Sequence, residues 1–172
     1  MGKRGIKSTD FTDLHRLFLE NKIVEEKHTE AKEVLPVKTG AEDFLGRVVL
    51  GVGTDIVEVE RIRKAVERHG ERFLQRLYTE EELAYCRRHR EPHPFLAARF
   101  AAKEAASKAF GTGLARGFGW KTFSVRHNEH GAPLAVLDEA GRALLAARGA
   151  TGMLVSLSHT ASLGHAVVLL VK

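Results

Sequence analysis

Cysteine is almost missing: Cys86 is the single one in 172 residues, so no internal disulfide can form. That agrees with a reducing compartment. No apolar run approaches the roughly 18 residues of a membrane-spanning helix, so no membrane association is expected. The first residues hold no apolar signal core and too many acids for a transit peptide. The expected location is therefore the cytoplasm. Internal repeats and low-complexity tracts are also lacking. So is the third glycine of a dinucleotide loop, which after Gly51 and Gly53 would fall at Ile56. Aromatic residues make up 7 % of the chain, and none stands between the basic residues Arg61, Lys64 and Arg68. A nucleic-acid binder would interleave them, so no nucleic-acid partner is expected.

What is present divides the chain in two. Residues 1–46 hold 8 Lys/Arg against 9 Asp/Glu, whereas the rest holds 19 against 13, so the net charge of +5 belongs to the later part. Such a surface attracts phosphate or carboxylate, or serves solubility alone. Residues 1–46 read as an extension and linker, with a helix from Asp10 to about Lys32 and breakers at Pro36 and Gly40. The domain proper spans residues 47–172. Within it Val48–Val57 reads as a strand of period two and Glu58–His69 as a helix closed by Gly70. Thr79 and Glu82 form a capping box. A long helix, Phe95–Phe110, follows Pro94 and ends at Gly111. Trp120–Arg126 and Pro133–Leu137 read as a hairpin, Asp138–Arg148 as a helix, and Met153–Ser158 and His165–Val171 as two final strands. Helices and strands do not alternate strictly, so the expected class is α+β, with a compact, largely antiparallel sheet and packed helices.

Four constellations could carry chemistry. Asp55 sits in a hydrophobic strand with Gly51 and Gly53 on its own side, where two missing side chains would leave room beside a carboxylate. A hard cation such as Mg²⁺ would keep it ionised; alternatively it caps the following helix. Glu104 and Lys108 lie one turn apart on a helix dense in alanine, either as a routine surface pair or, because small residues let a helix lie close to a sheet, facing a cleft. Ser156-Leu157-Ser158-His159-Thr160 runs from strand into turn, and its hydroxyls, imidazole and turn amides could bind phosphate. Ser158 and His159 are neighbours on a strand and point to opposite sides, which disfavours a nucleophile–base relay. Finally, Arg61, Lys64 and Arg68 form a one-signed row opposite the apolar face Val59, Ile62 and Val66. It is either a solvated surface or a dock for an acidic helical partner.

Three blocks together resemble the holo-acyl-carrier-protein synthases, the small bacterial 4'-phosphopantetheinyl transferases: Gly51-Val52-Gly53-Thr54-Asp55-Ile56-Val57 with Arg61-Ile62, the run Phe95–Gly113, and Ser156–Thr160. The resemblance covers about Val48 to Lys172. It implies that the chain transfers the phosphopantetheine arm of coenzyme A to a serine of apo-acyl carrier protein with Mg²⁺ assistance, releasing 3',5'-ADP. It implies that Asp55 and Glu104 bind the metal, that Glu104 and Lys108 are catalytic, and that Lys108 lies near the coenzyme A phosphates. Ser158, His159 and Thr160 would contact coenzyme A, His159 from an adjoining subunit of a homotrimer. Arg61, Lys64 and Arg68 would dock the carrier. Residues 1–46 have no counterpart in this resemblance.

Overall fold

A computed structural model describes residues 48–115 and 117–172. The extension, with its expected helix from Asp10, lies outside the described residues. The described chain runs β1 (Val49–Glu58), α1 (Val59–Leu77), α2 (Glu80–Cys86), α3 (His93–Phe110), β2 (Phe123–His127), β3 (Pro133–Leu137), α4 (Glu139–Ala147), β4 (Gly152–His159) and β5 (Leu163–Val171). One sheet has the order β1-β5-β4, and β2 and β3 form a separate two-stranded hairpin. Every pairing is antiparallel. The expected α+β class is what the chain adopts, with two sheets sharing the strands.

Local chemistry accounts for most boundaries. Thr79 accepts from the Glu82 amide while Glu82 reaches back to the Thr79 amide, so the capping box starts α2. Gly111 ends α3 at φ 67°, the left-handed conformation that glycine adopts at no steric cost. Two expectations need correction. Gly70 does not end its helix: at φ 56° it kinks α1, which resumes and runs on to Leu77. There Phe73, Leu74 and Leu77 are buried, so tertiary burial carries the helix past its breaker. The strand expected from Trp120 begins instead at Phe123, because Gly119–Thr122 closes a turn in which the Gly119 amide donates to Thr122 Oγ1 at 3.0 Å.

Period two gives the larger sheet two unlike faces. Gly51, Gly53, Asp55 and Val57 of β1 lie with Ala166, Val168 and Leu170 of β5 on the inner face, under α3. Val52 and Ile56 lie on the outer face, 63 % and 59 % exposed. The glycines do not leave space beside Asp55, as the sequence suggested; the α3 backbone fills it. A Cβ on Gly53 would fall inside the Ala105 carbonyl oxygen. Equivalent atoms on Gly51 and Gly164 would come within 2.5 Å of the Ala109 oxygen and the Ala98 nitrogen. Ala97, Ala98, Ala101, Ala102, Ala105 and Ala106 of α3 are all buried, so backbone meets backbone with almost nothing between.

The far side of α3 is polar and just as buried. Lys103 Nζ lies 2.8 Å from Glu82 Oε2, and both side chains are fully enclosed. The same ammonium donates to the Phe123 carbonyl at 2.8 Å, and Glu82 accepts from the Val125 amide at 3.2 Å. Burial lowers the pKa of Lys103, and the facing Glu82 opposes that shift. Nearby, Cys86 is buried and its thiol is pushed up to about 11 by burial.

Gly53→Ala should lower stability by about 3 kcal/mol or more, because the obstruction is backbone and cannot rotate away. Gly119→Ala, whose new Cβ meets only Thr122 Oγ1 at 3.7 Å, should shift stability by less than about 0.5 kcal/mol. Denaturant unfolding of the pair checks this. Equal midpoints would show that α3 can retreat from the sheet without cost.

Candidate functional site

The seam between β1 and α3 brings together residues that lie about fifty positions apart. Beyond Gly53, the next inward-facing residue of β1 is Asp55, paired across the ladder with Ala166. Small residues on both strands let α3 pass over them and hold its Glu104–Lys108 turn above Asp55. Lys108 Nζ donates to Asp55 Oδ1 at 2.7 Å and to the Thr54 carbonyl at 3.0 Å. Glu104 is 7 % exposed. Its carboxyl is pushed up to about 7, first by burial and then by the Asp55 charge, while Lys108 and Arg61 pull the other way. Glu104 and Lys108 are therefore more than a surface pair: with Asp55 they form a cluster on the seam.

The donor set suits a hard cation. Both side chains offer only carboxylate oxygens, and a divalent ion would relieve the Asp55 repulsion that adds to burial in raising the Glu104 pKa. Among the described residues no group of three or more His, Cys, Asp or Glu converges as a metal site. Asp55 and Glu104 can thus supply only part of a coordination shell, which substrate oxygens and water would complete.

The other candidates are spread out. Ser158 pairs with His165 and lies on the outer face, where His165 Nε2 is 2.9 Å from Thr54 Oγ1. His159 faces inward, opposite to Ser158, as the strand period requires. It pairs with Gly164, whereas Asp55 pairs with Ala166 on the other side of β5. Two strands across and two residues along puts it roughly 12 Å from Asp55. Thr160 caps the connecting turn: its Oγ1 accepts from the Ser162 and Leu163 amides at 3.2 and 3.0 Å. On α1, Lys64 and Arg68 are exposed, but Arg61 is half-buried and close enough to act on Glu104. Lys64 lies 3.8 Å from Glu60, so the basic row is partly neutralised.

A wall of rings escaped the sequence reading. The His159 ring lies 4.5 Å from that of Phe95, and Phe95 stacks on His89 at 3.6 Å. Tyr85 stacks on His127 at 4.3 Å, with the Arg99 guanidinium 4.1 Å above the Tyr85 ring. Arg99 is buried, and its Nε has no hydrogen-bond partner. The one sequence signal was the placing of Phe95, Arg99 and Lys103 four residues apart along a single stripe of α3.

The comparisons with known proteins converge on the same region. Residues 51–153 match the 4'-phosphopantetheinyl transferase superfamily. The holo-[acyl-carrier-protein] synthase of Caldanaerobacter subterraneus subsp. tengcongensis is 43 % identical over 120 residues, covering 70 % of this chain and 93 % of that one. Its counterpart from Solibacter usitatus is 40 % identical over 123 residues, covering 72 % and 98 %. Among solved structures, the Neisseria meningitidis synthase superposes with a TM-score of 0.68 at 33 % identity, over 73 % of this chain and all of that one. The Helicobacter pylori synthase, solved in complex with coenzyme A, gives 0.62 at 30 % identity, over 70 % and 99 %. With half its length and more inside the family match, the chain belongs to the 4'-phosphopantetheinyl transferase superfamily.

Proposed function

We infer that this chain is a holo-acyl-carrier-protein synthase, moving the 4'-phosphopantetheine group of coenzyme A to a serine of apo-acyl carrier protein. One observation carries the reading: within the family-matched span, Asp55, Glu104 and Lys108 meet on one seam. The serine oxygen attacks the phosphorus nearest pantetheine, the bond to the second phosphate breaks, and 3',5'-ADP leaves. Asp55 and Glu104 would hold Mg²⁺, which when bound neutralises charge on the diphosphate. Lys108 brings a second positive charge, and binding the diphosphate draws its ammonium from Asp55 toward a phosphate oxygen. Either Glu104 or a water takes the serine proton. The exposed His159 ring, backed by Phe95, offers a contact to the nucleotide end of coenzyme A. A cytoplasmic location goes with this reading.

The relatives match over nearly their whole length yet leave more than a quarter of this chain uncovered. That uncovered share supports reading residues 1–46 as an extension outside the catalytic domain. Incubating the protein with coenzyme A, Mg²⁺ and apo-carrier, then weighing the carrier, tests both statements. The carrier should gain one phosphopantetheine with the full chain and with a chain lacking residues 1–46. Asp55→Ala and Glu104→Ala should reduce the rate by about 100-fold or more while remaining folded. An unmodified carrier would refute the assigned function.

Stability should report the Glu104 carboxyl directly. Its folded pKa, about 7, lies above the ordinary 4.5. The group therefore contributes stability that is fully present below about pH 4.5 and is lost as pH rises through 7. Without divalent cations, the wild type should lose stability relative to Glu104→Gln between about pH 5 and pH 8, and added Mg²⁺ should restore part of it at the upper end. Parallel stability curves for the two proteins would contradict this.

Assembly as a homotrimer with shared sites is supported by two features. Val52 and Ile56 expose large apolar side chains on the outer sheet face, and His159 is set apart from the carboxylates of its own chain. Mixing inactive Glu104→Ala with inactive His159→Ala should restore activity by placing one intact site between unlike subunits. An active monomer by light scattering would exclude the arrangement.

Carrier docking belongs to the exposed part of α1. Arg61 acts on Glu104, so Lys64 and Arg68 are the informative pair. Reversing both to Glu should raise KM for the carrier, leave KM for coenzyme A nearly unchanged and flatten the salt dependence. No change in any of these would mark a merely solvated face.

A further inference from the structure

Asp55 and Glu104 can act together only if α3 keeps one rotation and one height over the sheet. On the sheet side, the close glycine–alanine contact sets the distance, and Lys108 ties α3 to Asp55 and Thr54 through a side chain that is partly exposed. The far side is different. At Lys103, the residue before Glu104, one ammonium bonds Glu82 of α2 and the Phe123 carbonyl of β2, each at 2.8 Å. Glu82 in turn accepts from the Thr79 amide at 3.0 Å and from Val125 of β2 at 3.2 Å. Hydrogen bonds are directional, and these tie α3 to the start of α2 and to the hairpin strand from inside the core. Neither side chain is reachable by substrate, since both are fully enclosed.

We propose that the buried Glu82–Lys103 pair is a positioning device for the transfer reaction: it fixes the rotation and height of α3, and through them the placing of Glu104 against Asp55. The proposal rests on the reading of Asp55 and Glu104 as the diphosphate site. A buried ion pair is in general weak evidence for stability, because apolar residues of similar volume often replace it at no cost. Its directional bonds, unlike its free energy, have no apolar substitute.

That difference gives the test. Glu82→Leu combined with Lys103→Met should fold, with a thermal midpoint within a few degrees of wild type. Its kcat should fall by roughly 100-fold, the loss that follows an ångström of misplacement. KM for the carrier should stay put, and calorimetric titration in the presence of coenzyme A should show weakened Mg²⁺ binding. Glu82→Asp keeps the charge and both acceptor oxygens that serve Lys103 and Val125, so its kcat should stay well above that of the double variant. A stable double variant with wild-type kcat and Mg²⁺ affinity would overturn the proposal. Failure of the double variant to fold would overturn it as well, since the pair would then hold the domain together instead of aiming one helix. Neither outcome touches the assigned function, which stands or falls on whether the wild-type protein modifies the carrier at all.

Discussion

The backbone contact between α3 and β1 is the constraint on which the rest of the domain depends. Three glycines on the sheet and a row of alanines on the helix remove the side chains that normally separate the two layers. What remains is an unusually thin seam, and its thinness is chemical as well as mechanical. Asp55 and Glu104 are short acids on different elements. Side chains of that length can influence each other so strongly only where the backbones carrying them come close.

Bringing two acids so close in a partly dry seam is unfavourable, and the structure offsets it in two ways. Lys108 pairs with Asp55 at 2.7 Å, while Glu104 answers with a carboxyl that holds its proton up to about pH 7. The resting site is thus charge-balanced by an ammonium and a proton, both removable. On the far side of the same helix, the buried Glu82–Lys103 pair adds directional bonds that are enclosed from water.

Much of this was legible in the chain, for identifiable reasons. Capping signals are local, so Thr79–Glu82 and Gly111 marked their helix ends. Period two correctly grouped Gly51, Gly53 and Asp55 on one face, and alanine density pointed to close helix–sheet packing. The meaning of the glycines was misread, because a missing side chain looks the same in sequence whether a ligand or a helix backbone fills the space. Gly70 was read as a stop because the burial of Phe73, Leu74 and Leu77 depends on packing elsewhere. Lys103 was read past for a related reason: a lysine in sequence carries no sign that a glutamate twenty-one residues earlier will enclose it. The ring wall was hidden likewise, its members being drawn from α2, α3, β2 and β4.

The burial of Cys86 has a use outside catalysis. Its thiol is enclosed and pushed up to about 11, so at neutral pH it is neither ionised nor reachable while α2 stays docked. Modification by a soluble alkylating reagent must then pass through an opened form, and its rate is a direct clock for that opening. Because α2 also carries Glu82, this lone thiol serves as an internal reporter on the element that is bonded to α3 through Lys103. No label needs to be introduced, and coenzyme A need not be present.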